Sequence, residues 1–131
     1  MELHLFIGGV LAGLESVNLG EEGEKIASRY LLRKGYVILK TNFKSYCGEI
    51  DLIAFDSYTE TLIFVEVKLR SKGSLSLPEE AVTAEKIRRI KKAALKFLDT
   101  YRSSFRGMRF DVIGIEKDGE KIKVNHIENA F

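Results

Sequence analysis

One cysteine, two histidines and a single proline are spread over 131 residues, and the first two scarcities each close off a class of chemistry. Cys47 alone can form neither an internal disulfide nor a cysteine-rich zinc site, which suits a reducing compartment. With only His4 and His126 beside it, there is no histidine cluster for zinc and no convincing pairing of a thiol with an imidazole base. Charge of one sign is not in excess either, since the formal net charge is +2. Repeats and low-complexity tracts are missing, and 45% hydrophobic with 31% charged residues is the composition of an ordinary globular protein. A long hydrophobic run is lacking too. Residues 1–14 are apolar, but they carry Glu2 where a signal peptide is basic, and they fall far short of the roughly 20 residues that a membrane span needs. The expectation is a cytoplasmic protein with no membrane partner. Residues 1–17 would be an apolar extension packed on the body or on a neighbour, and residues 18–131 one domain, long enough to bury a core without staples.

What is present concentrates between Cys47 and Arg70. Two β-rich runs, 50–55 and 62–69, flank Asp56-Ser57-Tyr58-Thr59-Glu60, a polar cluster that closes hairpins. A tip at Tyr58 and Thr59 sets Asp51 opposite Glu66 and Glu49 opposite Lys68. Glu66 and Lys68 share a face by strand period, while Val65 and Val67 point the other way into a core. A slip of one residue would turn Asp51 away from Glu66. Taken alone, Glu-x-Lys at a strand end is more often a solvated ion pair. Here it interrupts Leu62-Ile-Phe-Val-Glu-Val-Lys-Leu69, the apolar run of a central strand, where charge is costly and needs a reason. Converging carboxylates repel unless a proton or cation lies between them, and oxygen ligands suit Mg²⁺ or Mn²⁺. Lys68 beside such an ion could organise an attacking water and offset charge on a phosphoryl group. The chemistry indicated is phosphodiester hydrolysis.

Around this hairpin the elements fall in the order αβββαββ. A first helix is expected over about 19–34, with Asn18 as N-cap, Glu21, Glu22 and Glu24 in its first turns, Gly35 as its stop, and Ile26, Ala27, Tyr30 and Leu31 on its buried face. Glu24 either complements the helix dipole or leans toward Asp51 and Glu66. A strand follows over 36–43, then the hairpin, then loop chemistry from Ser71 to Pro78, placed to close over a substrate. A long helix is expected over 78–101, burying Ala81, Ile87, Ile90, Ala94, Leu95, Phe97 and Leu98. Its other side is basic, with Lys86, Arg88, Arg89, Lys91, Lys92 and Lys96. Such a face is either solvated exterior or a neutraliser of nucleic-acid phosphates that reads no sequence. Strands at 108–115 and 121–127, turning at Asp118-Gly119, complete an α/β fold in which a crossover helix makes the sheet mixed.

The succession Gly23-Glu24, Ala27, Tyr30-Leu31, Gly35-Tyr36, Asn42, Gly48-Glu49-Ile50-Asp51-Leu52-Ile53-Ala54, Phe64-Val65-Glu66-Val67-Lys68, Ala81-Val82, Lys86 and Arg109-Phe110-Asp111-Val112, with the terminal Asn129-Ala130-Phe131, resembles the YraN family of small prokaryotic proteins over residues 18–131. The resemblance implies a restriction-endonuclease-like fold, a central mixed sheet flanked by helices, in the Asp…Glu-x-Lys nuclease superfamily that includes archaeal Holliday-junction resolvases. Carried over by position, it implies catalysis by Asp51, Glu66, Lys68 and Glu24. Mg²⁺ or Mn²⁺ would be held by Asp51, Glu66 and Glu24, and DNA by Lys86, Arg88, Arg89, Lys92 and Lys96. No proline precedes Asp51, a departure of little weight, since that proline is often missing in the superfamily. The function implied is a metal-dependent endonuclease or resolvase-like phosphodiesterase. A non-catalytic nucleic-acid-binding module of the same fold, a scaffold using the apolar N-terminal segment, and a homodimer stay open.

Overall fold

The computed structural model describes residues 19–73 and 82–131. The expectations that fall on residues 1–17, on Asn18 as a cap, on Ala81 and on most of the loop after Ser71 lie outside them. Helix α1 runs Leu19–Arg33, followed by strands β1 (Val37–Ser45), β2 (Gly48–Asp56) and β3 (Thr61–Ser71). Helix α2 (Ala84–Thr100) and strands β4 (Gly107–Asp118) and β5 (Lys121–Ile127) complete the order αβββαββ. The five strands form one sheet in the order β1-β2-β3-β4-β5. Only β3 and β4, joined through α2, are parallel; the other neighbours are antiparallel. This is the mixed α/β sheet flanked by helices that the strand order implied.

Strand period divides the core between two faces. Leu52, Ala54, Ile63, Val65, Ile113 and Ile115 pack with Ile26, Ala27 and Leu31 of α1. Ile53, Leu62 and Phe64 pack with Ile90, Ala93, Ala94 and Phe97 of α2. Each wholly buried Leu or Ile contributes about 1.5–3 kcal/mol, against at most about 1 kcal/mol for an exposed ion pair. Burial of Ile26 and Leu31 therefore does more to seat α1 than an exposed ion pair would. Gly23 lets this helix come close, because a Cβ there would lie 3.3 Å from Leu69 Cβ and Val67 Cγ1. The helix ends where expected: Gly35 takes a φ of 91°, Tyr36 N–H donates to Leu31 O, and Gly35 N–H donates to Leu32 O, a Schellman arrangement.

Helix α2 departs from expectation in two ways. It starts at Ala84 instead of Pro78, because the Thr83 side chain accepts from Lys86 N–H at 3.1 Å and holds residue 83 in an extended N-cap conformation. Leu95, expected inside, is 61% exposed. The buried stripe is centred on Ile90, Ala93, Ala94 and Phe97, and at 100° per residue Leu95 falls on the outer side of the helix.

A second polar group stands in the α1-side layer. Asp111 is 0% exposed and accepts from Arg109 Nε at 3.0 and 3.1 Å, from Asn129 N–H at 2.9 Å and from His126 Nε2 at 2.7 Å. His126 Nδ1 lies 3.2 Å from the Tyr30 hydroxyl, and Arg109 Nη2 donates to the Tyr36 hydroxyl at 3.1 Å. The tautomer that satisfies every group carries its proton on Nε2 and accepts from Tyr30. This network ties α1, β4, β5 and the turn at Asn129 together.

Candidate active site

Asp51 and Glu66 come together as the hairpin reading required. The β2–β3 ladder pairs Asp56 with Thr61 and runs to Leu52 with Val65, so continuing it by one step sets Asp51 opposite Glu66. The ladder stops there for a local reason: Asp51 Oδ2 accepts from Val67 N–H at 2.8 Å. A side-chain carboxylate takes the amide that main-chain pairing would have used, and the strands part. Glu49 is a correction. It does not pair with Lys68 but stands opposite Lys44 on β1, with Lys44 Nζ 3.9 Å from its carboxylate.

The strands part into a cleft of about 260 Å³ lined by Gly48, Glu49, Asp51 and Glu66 from the sheet and by Lys86, Arg89 and Ile90 from α2. Burial first, and then the charge of Glu66, pushes the Asp51 carboxyl up to about 7, against the Val67 amide, which favours the ionised form; Glu24 adds a smaller repulsion. Glu66 is 4% exposed, and two ammonium groups serve it, Lys68 at 3.2 Å and Lys86 in direct contact. Burial, then the neighbouring Lys86, holds Lys68 below its ordinary value. Burial would lower Lys86 as well, but its contact with Glu66 outweighs this and the net shift is upward.

Lys86 was expected among the phosphate-binding residues and instead reaches into the cleft. The N-cap at Thr83 explains this, because it starts the helix so that the first turn faces the ends of β2 and β3. Glu24 is near enough to repel Asp51, yet among the described residues no group of three or more His, Cys, Asp or Glu side chains is arranged to hold a metal ion. The expected three-carboxylate set is thus a close pair, Asp51 and Glu66, with Glu24 outlying.

The remaining basic residues divide by flank. Arg89, Lys92 and Lys96 recur at intervals of three and four and share the side of α2 beside the cleft, and Lys96 Nζ stands 5.0 Å from the centre of the Tyr46 ring. Lys91 sits on the other flank, 5.6 Å from the centre of the Phe110 ring, and Arg88 is exposed on the outward crest. Gly48 sets how closely helix and hairpin approach, because a Cβ there would lie 2.9 Å from Arg89 O and 3.1 Å from Arg89 Cβ. Gly48→Ala should force α2 off the sheet and cost about 1–3 kcal/mol, read as a fall of several degrees in Tm. An unchanged Tm would show that the approach is not tight.

Among the described residues no helix is long and apolar enough to cross a membrane. Residues 23–115 match the profile of the family described as Uncharacterised protein family UPF0102. A UPF0102 protein of Syntrophomonas wolfei is 44% identical over 113 residues, covering 86% of this chain and 96% of its own length. One from Geobacter metallireducens is 45% identical over 118 residues, covering 90% and 95%. Another, from Caldanaerobacter subterraneus, is 46% identical over 116 residues, covering 86% and 93%. With the family profile spanning most of the chain and relatives aligned over nearly their whole length, the protein belongs to the UPF0102 family, that of the YraN proteins.

Proposed function

We propose that this chain is a metal-dependent phosphodiesterase of endonuclease or resolvase type acting on DNA. The observation that carries the reading is the Asp51–Glu66 pair, two carboxylates converging in an open cleft with Lys68 and Lys86 on the second of them. The donor chemistry fits a hard divalent cation. Burial and the neighbouring Glu66 charge leave Asp51 protonated up to about 7, a penalty that a bound cation would relieve, and Mg²⁺ is commonly held by one or two carboxylates while keeping several waters. Asp51 and Glu66 would hold Mg²⁺ or Mn²⁺, with Glu24 at the margin. Bound there, the ion would acidify a water and neutralise charge developing on a phosphoryl group.

The chain's own residues do the rest. Val67 N–H fixes the orientation of Asp51 through Oδ2. Lys86 pairs with the buried Glu66 carboxylate and fixes its position. Lys68, whose burial favours loss of its proton, is suited to receive a proton from an attacking water or to donate a hydrogen bond to a phosphoryl oxygen. Arg89, Lys92 and Lys96, with Arg88 on the crest, attract the phosphates without reading sequence.

One observation favours a non-catalytic nucleic-acid-binding module of the same fold: the two lysines already pair with Glu66 without a metal ion. A cleavage panel of linear, single-stranded, flapped and four-way DNA, in Mg²⁺, Mn²⁺ or chelator, separates the two readings. Cleavage that needs metal and disappears in Glu66→Gln, together with a rise in Tm on adding Mn²⁺, is the expected result. Wild-type protein that binds DNA, cuts nothing in the panel and is not stabilised by either ion would leave the binding module in its place.

A further inference from the structure

The β1–β2 turn holds an aromatic ring out in solvent beside the cleft. Tyr46 is 87% exposed and belongs to neither core cluster. The turn is firmly built: Ser45 pairs with Gly48, Ser45 Oγ donates to Gly48 O at 3.0 Å, and Ser45 Oγ also accepts from Cys47 N–H at 3.2 Å. Gly48, two residues after Tyr46, lines the cleft under Arg89. One basic flank of α2 leads from this point back to the ring, with Arg89 on the cleft wall, Lys92 exposed above it and Lys96 against Tyr46. From Arg89 to Lys96 the rise is about 10 Å, the span of roughly two or three successive phosphates on a strand.

We propose that Tyr46 and the Arg89–Lys92–Lys96 flank form a track for one unpaired nucleic-acid strand, with a base stacked on Tyr46 and the phosphates led along α2 into the Asp51–Glu66 cleft. The proposal rests on reading that cleft as a phosphodiester site, and it names the substrate class: DNA with a single-stranded segment. In a duplex the base faces are covered by their neighbours, so an exposed aromatic side chain has only backbone to touch. An unstacked base offers its face, and stacking of this kind tolerates any sequence. Lys96 Nζ lies over one face of the ring, 5.0 Å from its centre, where it adds a phosphate contact, and the largely exposed ring keeps its other face for a base.

Binding measured by fluorescence anisotropy in chelator tests this apart from catalysis, with a labelled short oligo-dT and a blunt duplex of equal length as probes. Tyr46→Ala should weaken oligo-dT binding by about five- to a hundredfold and leave duplex binding unchanged, and Tyr46→Phe should restore the oligo-dT affinity. Tyr58, 93% exposed on the β2–β3 turn at the far end of the hairpin, is the matched control, and Tyr58→Ala should change neither affinity. Replacing Arg89, Lys92 and Lys96 together by Ala should lower the slope of log affinity against log salt for oligo-dT by about 2. Oligo-dT binding unaffected by Tyr46→Ala, equal losses on both probes, or an equal loss with Tyr58→Ala would overturn the track. If Tyr46→Ala binds oligo-dT normally while wild type cleaves in the panel, only the track falls. If wild type binds neither probe, the reading of the cleft falls with it.

Discussion

Asp51→Asn is expected to lower metal-dependent cleavage by at least about a thousandfold, the scale seen when a central catalytic group is removed, while making the metal-free protein more stable at pH 8. The amide oxygen can still accept from Val67 N–H, so the local geometry survives and only the charge is lost. The sign of the stability change follows from proton binding. Folding raises the Asp51 carboxyl from 3.8 to about 7, so between these values the folded state holds a proton that the unfolded chain has released. Stability from this group is therefore full below about pH 4, falls as the pH rises toward 7, and is lost above it. The shift sets a ceiling of roughly 4 kcal/mol on that loss. Thermal melts of wild type and Asp51→Asn in chelator, at pH 5 and pH 8, measure it. The variant should gain on wild type at pH 8 much more than at pH 5. A variant that cuts within tenfold of wild type would remove Asp51 from the mechanism, and equal melts at both pH values would contradict the crowding of the two carboxylates.

Asp111→Ala should cost about 3–5 kcal/mol, a large part of the 5–15 kcal/mol that holds a typical domain together. Four donor contacts reach that wholly buried carboxylate, and without it donors of His126 and Asn129 are left unpaired and the partly buried Arg109 guanidinium keeps only Tyr36 and Glu128. Asp111→Asn should also be costly, since its amide nitrogen would be set against a donor. Asp118→Asn is the comparison: its exposed bond to Lys72 at 3.3 Å should contribute less than about 1 kcal/mol. Urea unfolding gives both values. A loss below 1 kcal/mol for Asp111→Ala would mean that water or neighbouring groups satisfy those donors once the carboxylate is gone.

The hairpin register was legible because two independent signals agreed, a polar cluster at the tip and the two-residue period of the apolar side chains. Together they leave one pairing that faces Asp51 toward Glu66. What happens beyond Leu52 was not legible, because a side chain there displaces the main chain as acceptor for Val67, and no residue pattern marks such an exchange. The arrival of Lys86 at Glu66 depends on where α2 begins, and Thr83 competes for that role with Pro78. Leu95 is apolar in type, but its angle on the helix puts it opposite the buried stripe of Ile90, Ala93, Ala94 and Phe97. The Asp111 network joins residues as distant as Tyr30 and His126, so spacing could not reveal it. One clue was present: Asp111 interrupts Phe110-Asp-Val-Ile-Gly-Ile115 much as Glu66 interrupts its own strand.

Phe97 anchors α2 among rings, edge-on to Phe43 and Phe64 and stacked on Tyr101 at 5.4 Å between centroids. Aromatic nests of this kind have few alternative packings, so the helix behaves as a stiff rod pressed against a stiff sheet. The backbone positions of its cations are thereby fixed in pitch, with only their side chains free to adjust. Whatever lies along it must supply the rest of the compliance, and nucleic acids differ widely in that respect: a duplex resists curvature over about 150 base pairs, whereas a free strand bends at every backbone torsion. On the proposed track, a free strand could match that fixed pitch by rotating its own torsions, whereas the phosphate spacing of a duplex is set by its helix.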